Sequence, residues 1–539
     1  MKAEKWKKTD FGLCFLFLTL LLFCSCSSSD SDPVVISPED GIEHAMTAEA
    51  LTGHLQELEK GAVSGNRAAG TQGYDNSVHY IRSLLADSGL LLWEQEVNFR
   101  FFEENREPVM HQLFPRPADY AAGMDFSTMT YSGSGDVTGE LAFVTPMIPP
   151  GADPNSSDDA CESADFDGID LNGKIAVIQR GGCSYEEKAL NAQNRGAAAV
   201  LIFNEGQIGR TETIRGTLGE DAAISIPVLG ITYELGQEFC ELAQAGTVSA
   251  GLIADSIDED RNAVSLFAET SGGDSSQVIM AGAHLDSVSA GPGINDNGSG
   301  AAALTELAYQ VAALGYEPQN KIRFAWWTAK EAGNAGSQYY TENLSDADYY
   351  SIAMYLDADS IASPNHVFAV LDSDLSDTGD EDNLFLDPDF MPAGSGEIEA
   401  AFTDYFASCG IRPKISGLHA ETDYNAFVNI GIPVGGLSAG EDGIKSEEEA
   451  GIFGGNAGEP YDPCYHQFCD DTANINEDAL LRNAKALTHV VQYFADQETV
   501  FGDTGTLVRR SADRTAKLAV KNASGYDRSH SDRHVRSAR

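Results

Sequence analysis

Apolar residues recur at helical spacing near the beginning of the chain. Leu51, Leu55 and Leu58 lie three and four positions apart, which predicts an amphipathic helix that starts near Met46. A second helix is predicted over residues 77–88, where one face carries Val78, Ile81, Leu84 and Leu85. Each of these helices would therefore bury one side against a core.

Between residues 132 and 262 the pattern changes to short apolar runs that are separated by glycines. The clearest runs are residues 141–144, 174–178 and 198–203. Such runs are typical of strands. They predict a separate β-rich module within the chain.

From residue 265 onward the patterns of strands and helices alternate. A helix is predicted over residues 300–314 and a buried strand over residues 322–327. This alternation implies an α/β fold, in which a central sheet has helices on both faces and the β-rich module is an insertion.

The first residues have the features of an export signal. Four lysines precede an apolar run over residues 11–23, which is shorter than the roughly 20 residues of a membrane-spanning helix. The sequence Phe23-Cys24-Ser25-Cys26 then resembles a bacterial lipoprotein processing site, with Cys26 as the lipidated residue. Because Phe23 stands where leucine is usual, secretion without a lipid is the alternative. We expect a signal peptide at residues 1–26 and a tether at residues 27–44. The chain would then be extracytoplasmic, either secreted or attached by its lipid to the cell envelope, and the outer membrane is the favoured location.

Charge separates the last part of the chain from the rest. The 539 residues have a formal net charge of −49 and a pI near 4.3. Nucleic-acid binding needs clustered cations that release counterions, so this charge argues against such a partner. Residues 501–539 instead intersperse basic residues with few large apolar ones, and we expect a disordered or processed tail. A tail that contacts anionic surface polymers is the alternative.

The strongest candidate chemistry lies between residues 282 and 300. His284 and Asp286 are two positions apart at the end of a predicted strand, so their side chains share a face. Asp286 could fix the tautomer of His284. Asp296 follows in a Gly-rich turn before a helix, where ligands collect in open α/β sheets. On these residues alone, a purely structural histidine is an equally good interpretation.

Three later segments favour a metal site. Glu331 follows a predicted strand, Asp359 follows an apolar run, and His466 lies in a loop flanked by cysteines. Two histidines and three acidic residues form a ligand set suited to Zn²⁺ and similar divalent ions. Two such ions about 3.5–4 Å apart can share one carboxylate and activate a water molecule.

These segments resemble peptidase family M28, the co-catalytic zinc peptidases, and in particular secreted aminopeptidases of the streptomycete type. The resemblance covers roughly residues 45–130 and 263–497 and includes Gly65-Asn66-Arg67, Trp326-Trp327, 359–365 and 431–437. It implies a peptidase domain at residues 45–131 and 263–500, with the mixed, helix-flanked sheet of the zinc exopeptidases (phosphorylase/hydrolase-like fold). The implied activity is removal of N-terminal residues from peptides.

The resemblance also implies roles for individual residues. Five ligands would hold two zinc ions per chain: His284 and Asp359 on one ion, Glu331 and His466 on the other, and Asp296 bridging them. Asp286 would orient His284, and Tyr465 would stabilise the tetrahedral oxyanion.

The inserted module, residues 132–262, resembles a protease-associated (PA) domain, with 173–175 and 180–185 as its recognisable core. That resemblance implies a disulfide between Cys161 and Cys183 and a role as a lid or in substrate selection. In the peptidase domain a disulfide between Cys464 and Cys469 would hold the His466 loop. The alternative is a thiolate zinc site, although cysteines of an exported chain tend to oxidise.

One position departs from the M28 pattern. Close relatives carry two consecutive glutamates after the Trp-Trp strand, the first as general base and the second as ligand, whereas this chain reads Lys330-Glu331. A charged lysine cannot accept a proton from water, and loss of a general base removes about 10²–10⁴ in rate. The alternative is that neighbouring cations keep Lys330 neutral and make it an unusual base.

A second departure lies nearby in the family pattern. Where relatives place arginine just before Ser-Asp, this chain has Glu421 before Thr422 and Asp423. We therefore consider a charge exchange in which Glu421 pairs with Lys330 or serves as the base. Independent drift in a degenerate site is the alternative.

Two functions from different classes follow. The chain is either a di-zinc aminopeptidase or a zinc-containing surface protein that binds peptides without turnover. Retention of five ligands favours the enzyme, and Lys330 favours the binding protein. Serine hydrolase chemistry is disfavoured because residues 297–300 lack the first glycine of the nucleophile elbow. The sequence does not indicate the residue preference or the number of subunits.

Overall fold

The computed structural model describes residues 41–157, 159–219, 222–377, 391–419 and 422–501. The predicted signal peptide, the tether before residue 41, the tail from residue 502 and Glu421 lie outside this part. Within it the chain forms two sheets of eight strands each. No helix in the described ranges is both long and apolar enough to cross a bilayer.

The strands in the described part are numbered in chain order. They are β1 (Leu91–Glu104), β2 (Val109–Phe114), β3 (Ala118–Asp119), β4 (Phe126–Thr128), β5 (Gly135–Phe143), β6 (Ile175–Gln179), β7 (Ala199–Phe203), β8 (Val228–Ile231), β9 (Ser249–Ala254), β10 (Ser256–Glu269), β11 (Asp274–His284), β12 (Asn320–Trp327), β13 (Ile352–Ala358), β14 (Ala369–Leu371), β15 (Lys414–Ser416) and β16 (Val434–Ser438).

The helices are numbered in the same way. They are α1 (Ile42–Ala45), α2 (Ala48–Gly61), α3 (Gln72–Leu85), α4 (Tyr185–Asn194), α5 (Tyr233–Ala245), α6 (Gly300–Ala313), α7 (Ala335–Glu342), α8 (Asp346–Ser351), α9 (Ser395–Ser408), α10 (Tyr424–Val428), α11 (Glu447–Phe453) and α12 (Glu477–Ala495).

The first sheet has a parallel centre. Its order is β1-β10-β12-β11-β13-β16-β14-β15. Strand β11 pairs in parallel with both β12 and β13, while β10 pairs antiparallel with β1 and β12. The carboxyl ends of β11, β12 and β13 therefore meet at one edge of the sheet.

Helices cover both faces of this sheet, which confirms the predicted α/β fold. Side chains alternate along β12, so Trp326 lies in a core with α2, α3, α6, α9 and α12. Trp327 lies in the opposite core with α7, α8 and α10. Helix α3 begins before the predicted residue 77, because the hydroxyl of Thr71 accepts a hydrogen bond from the N–H of Tyr74 and caps the helix.

The second sheet has the order β3-β2-β9-β5-β6-β7-β8-β4 and corrects the predicted start of the inserted module. Strand β2 pairs with β9 and β4 pairs with β8, so residues 109–128 belong to this sheet although they precede residue 132. Strands β3 and β4 are only two and three residues long, too short to show a periodic pattern.

The β-rich module also contains two helices of ten or more residues. Helix α4 packs on one face of its sheet and α5 on the other. The disulfide between Cys161 and Cys183 is present, which confirms the pairing implied by the PA resemblance.

The aromatic core behind the first sheet yields a stability prediction. Phe427 is fully buried and stacks on Tyr355, with ring centroids 4.0 Å apart. Phe427→Ala should therefore destabilise the peptidase domain by about 3–5 kcal/mol and lower its melting temperature by roughly 4–7 °C. Phe468→Ala is the matched control, because Phe468 is 79% exposed. Equal melting temperatures for the two variants, measured by circular dichroism, would contradict the prediction.

Candidate functional site

The carboxyl edge of the central parallel strands gathers the predicted metal ligands. His284 is the last residue of β11, Asp359 directly follows β13, and Glu331 lies in the turn after β12. Asp296 comes from the irregular turn before α6, and His466 comes from the loop before α12. Ligands commonly collect at this edge in open α/β sheets.

Asp296 lies at the centre of these five side chains and presents one carboxylate oxygen to each of the two imidazole rings. Its Oδ1 lies 3.2 Å from Nε2 of His284, and the same nitrogen lies 3.3 Å from Oδ1 of Asp359. Its Oδ2 lies 3.0 Å from Nε2 of His466, which lies 3.4 Å from Oε1 of Glu331. The structure thus brings the five side chains together as two sets that share Asp296.

The donor atoms fit zinc. Zinc bonds of about 2.0–2.1 Å in tetrahedral geometry place two ligand atoms about 3.3–3.4 Å apart, and the separations within the two sets are 3.0 to 3.4 Å. Both side-chain oxygens of Asp296 and Oε1 of Glu331 are buried and accept no hydrogen bond from the described residues. Buried polar atoms normally have partners, so these oxygens are suited to a cation.

Two residues outside the predicted ligand set hold the turn of Asp296. The carboxylate of Asp470 accepts hydrogen bonds from the N–H groups of Asn295, at 2.8 Å, and of Asp296, at 3.0 Å. The guanidinium of the fully buried Arg67 donates to three backbone carbonyls, those of Leu285, Pro292 and Gly293. Arg67 thereby connects the end of β11 to the turn before α6.

Asp286 contributes through its main chain as well as its side chain. Nδ1 of His284 makes a 3.0 Å hydrogen bond to the backbone carbonyl of Asp286, whereas the carboxylate is 3.7 Å away. That carboxylate accepts the N–H groups of Lys330 and Glu331, each at 3.1 Å. The contact that orients His284 therefore comes from the backbone, while the side chain of Asp286 holds the turn of Glu331.

The loop of His466 is closed by a disulfide between Cys464 and Cys469, as predicted, so neither sulfur offers a thiolate. The ring of Tyr465 stacks on that of His466, with centroids 3.9 Å apart. Burial and the carboxylate of Glu441 raise the pKa of Tyr465 well above its usual value. Its phenol therefore keeps its proton and can donate a hydrogen bond.

Lys330 lies among the same carboxylates. Its Nζ is 3.7 Å from Oδ2 of Asp359, 3.8 Å from Oε2 of Glu331 and 4.0 Å from Oδ1 of Asp296. Burial by itself lowers the pKa of Lys330, but the three carboxylates outweigh it and raise the pKa well above its usual value. For Asp296, burial raises the pKa. Lys330 and the imidazole of His284 have a larger and opposite effect, so the pKa of Asp296 lies well below its usual value.

Another acidic residue near this cluster that the sequence did not indicate is Glu441. It interacts electrostatically with Asp359, Lys330 and Tyr465, and burial together with Asp359 raises its pKa to about 8. Glu441 lies in the loop after β16, with no spacing to another ligand that could have revealed it. The pairing of Glu421 with Lys330 stays a prediction, because Glu421 lies outside the described residues.

Three residues at the site adopt left-handed backbone conformations. The φ angles are 54° at Ala329, 50° at Ser360 and 56° at His466. Such conformations cost residues other than glycine about 1–3 kcal/mol and persist where the surrounding structure imposes them. Tertiary contacts, rather than local preference, therefore set the turns that carry the candidate ligands.

Comparisons with known proteins identify families and relatives that the chain resembles. The family described as Peptidase family M28 matches residues 265–491, and the PA domain family matches residues 137–239. The chain is 37% identical over 500 residues to the "Aminopeptidase" of Pseudomonas aeruginosa (strain UCBPP-PA14), a match that covers 92% of this chain and 90% of the relative. It is 34% identical over 490 residues to the "Probable lipoprotein aminopeptidase LpqL" of Mycobacterium tuberculosis (strain ATCC 25618 / H37Rv), covering 89% and 90% of the two chains.

A solved structure shows the same fold. The aminopeptidase from Aneurinibacillus sp. strain AM-1 aligns with a TM-score of 0.63 at 23% identity, over 85% of this chain and 97% of that one.

The buried guanidinium of Arg67 yields a prediction about the site. Arg67→Lys keeps the charge but loses the planar donors, and each buried carbonyl left without a partner costs about 1–3 kcal/mol. We expect a lower melting temperature together with loss of bound transition metal. Arg323→Lys is the matched control, because Arg323 is a buried arginine that pairs with Glu269. If both variants retain metal equally, as measured by plasma mass spectrometry, Arg67 does not position the site.

Proposed function

The chain belongs to peptidase family M28 and contains a PA domain. On that premise, we propose that it is an exported aminopeptidase that uses two zinc ions to remove N-terminal residues from peptides. The observation that carries the proposal is the division of the two oxygens of Asp296 between His284 and His466. A single ion would not require both oxygens. The names of the curated relatives from Pseudomonas aeruginosa and Mycobacterium tuberculosis support cleavage at the N-terminus.

In this proposal His284 and Asp359 would hold one zinc ion, Glu331 and His466 would hold the other, and Asp296 would contribute to both. Bound there, zinc would polarise the scissile carbonyl and lower the pKa of a water molecule.

The remaining roles belong to the chain itself. The backbone of Asp286 orients His284. The disulfide of Cys464 limits the motion of the His466 loop. Tyr465 has a protonated phenol at this edge and can donate a hydrogen bond to the oxyanion that forms during amide hydrolysis.

Lys330 is proposed to slow turnover. A general base must accept a proton, and an ammonium group has only donors. The three carboxylates nearest to Lys330 are all zinc ligands in this proposal. Glu441, which interacts electrostatically with Lys330, and Glu421, which the sequence predicted to pair with it, are proposed to take over as base or to pair with Lys330.

A second function is supported by the same lysine. A protein that binds peptides on the cell surface through zinc, without turnover, would retain the ligands and tolerate the loss of the base. Retention of two complete sets of ligands around Asp296 favours the enzyme, because capture of a peptide does not need two ions that share a carboxylate.

We also propose the organisation of the chain around the site. The peptidase domain comprises residues 45–131 and 263–500, and the PA insertion comprises residues 132–262. The strands within residues 109–128 join the sheet of the insertion. The insertion acts as a lid or selects substrates. The chain is exported and either secreted or held at the envelope through Cys26. The lipoprotein relative from Mycobacterium tuberculosis supports an envelope anchor.

Zinc content and its effect on hydrolysis test the proposed function. The purified chain should contain zinc and hydrolyse amino-acid p-nitroanilides at a rate that falls to background with a chelator and returns with zinc. His466→Ala should lose at least about 100-fold in kcat/KM, because even the outer partners of metal ligands contribute about 10–100-fold. His489→Ala is the matched control, since His489 lies on α12 and pairs with Glu43. Zinc without hydrolysis would support the binding protein, and absence of zinc would contradict both functions.

The second prediction concerns Lys330. Lys330→Glu, combined with Glu421→Arg to restore the family pattern, should raise kcat by about 10²–10⁴ if only the base is missing. Lys330→Gln removes the ammonium without supplying a base and should stay well below the double variant. Unchanged or lower kcat in the double variant, from initial rates at saturating substrate, would reject loss of the base as the cause of slow turnover.

A further inference from the structure

The ammonium of Lys330 occupies the space between the two sets of candidate zinc ligands. It contacts one oxygen from each of three carboxylates, at 3.7 Å for Asp359, 3.8 Å for Glu331 and 4.0 Å for Asp296. The side chain is 8% exposed, so little water competes for its charge. A cation in this position balances the same buried charges that zinc would balance.

Lys330 is held there by charge and not by hydrogen bonds. Its Nζ donates no hydrogen bond to any described residue, at distances of 3.7 Å or more. Lys321, at the other end of β12, is different, because its Nζ lies 2.9 Å from Oε1 of Glu269 and donates a 2.9 Å hydrogen bond to the carbonyl of Thr270. The flexible stem of Lys330 can therefore move its ammonium away without breaking directional bonds.

We propose that Lys330 is a built-in counter-cation that competes with zinc for the carboxylates of Asp296, Glu331 and Asp359. The inference rests on the proposed function, because these three residues are zinc ligands there. Zinc must bind beside the ammonium or displace it, so the site loads more weakly than its five ligands alone would allow. When zinc is scarce, Lys330 keeps the carboxylates compensated and the peptidase domain folded.

The test compares zinc binding by Lys330 variants of the full chain. Protein stripped with a chelator is titrated with zinc against a fluorescent zinc indicator at fixed pH. Lys330→Met should bind its weaker zinc ion at least about tenfold more tightly than the wild type, equivalent to about 1.4 kcal/mol. Lys330→Arg keeps the charge and should stay close to the wild-type affinity. Lys321→Met, which removes a buried ion pair at the start of β12, away from the site, should leave zinc affinity unchanged.

Melting temperatures provide a second measurement. In chelator, Lys330→Met should melt below the wild type, because its buried carboxylates lose their cation, and it should gain more on addition of zinc. Folding of Lys330→Met only in the presence of zinc would be the expected loss of stability. The zinc affinity of Lys330→Gln is then compared with that of the wild type.

These measurements distinguish failure of the proposed competition by Lys330 from failure of the proposed metal site. Equal zinc affinities for wild type and Lys330→Met would overturn the competition while leaving the metal site and the proposed function in place. Failure of every variant to bind zinc would overturn the metal site, and the competition with it.

Discussion

Compensation of buried negative charge is the constraint on which this site depends. Asp296, Asp359 and Glu331 converge at the edge of the sheet where little water reaches them, and Asp296 is 2% exposed. A buried carboxylate is strongly unfavourable unless cations or hydrogen-bond donors surround it. The side chains of His284, His466 and Lys330 face these oxygens. Both carboxylate oxygens of Asp296 and Oε1 of Glu331 accept no hydrogen bond from the described residues, so a cation has to balance their charge, either the ammonium of Lys330 or the metal proposed to bind here.

The scaffold keeps this arrangement by connecting segments that are far apart in the chain. Strands β11, β12 and β13 provide a rigid parallel edge. Arg67 connects the end of β11 to the turn of Asp296, and Asp470 connects that turn to the disulfide-closed loop of His466. Asp286 holds the turn after β12. The turns of Asp296 and Glu331 are thus each held from a second segment, and this rigidity suits a preorganised site.

Lys330 changes the charge of this site without changing its ligands. In the proposed site, two zinc ions would exceed three carboxylates by one positive charge, and Lys330 adds a second. The same side chain faces all three carboxylates and stands where the M28 resemblance implies a general base. Under the two proposals, turnover and zinc loading would be coupled through this single side chain. Glu441, on a neighbouring loop, interacts electrostatically with Lys330 and Asp359.

By itself, the sequence determined the helices α2 and α6, the strand β12, the α/β class and the set of residues that meet at the sheet edge. Periodicity and strand ends are local properties, and they can be read from a few neighbouring residues. Both disulfides were also correctly anticipated. Only the tertiary structure decided that residues 109–128 join the second sheet, that the backbone of Asp286 contacts His284, and that Arg67 and Asp470 hold the turn of Asp296. Apart from the contact between His284 and Asp286, which are two residues apart, these features depend on pairings across 100 or more residues, so no short stretch of sequence contains them. Left-handed turns that local preference opposes also place candidate ligands at the site.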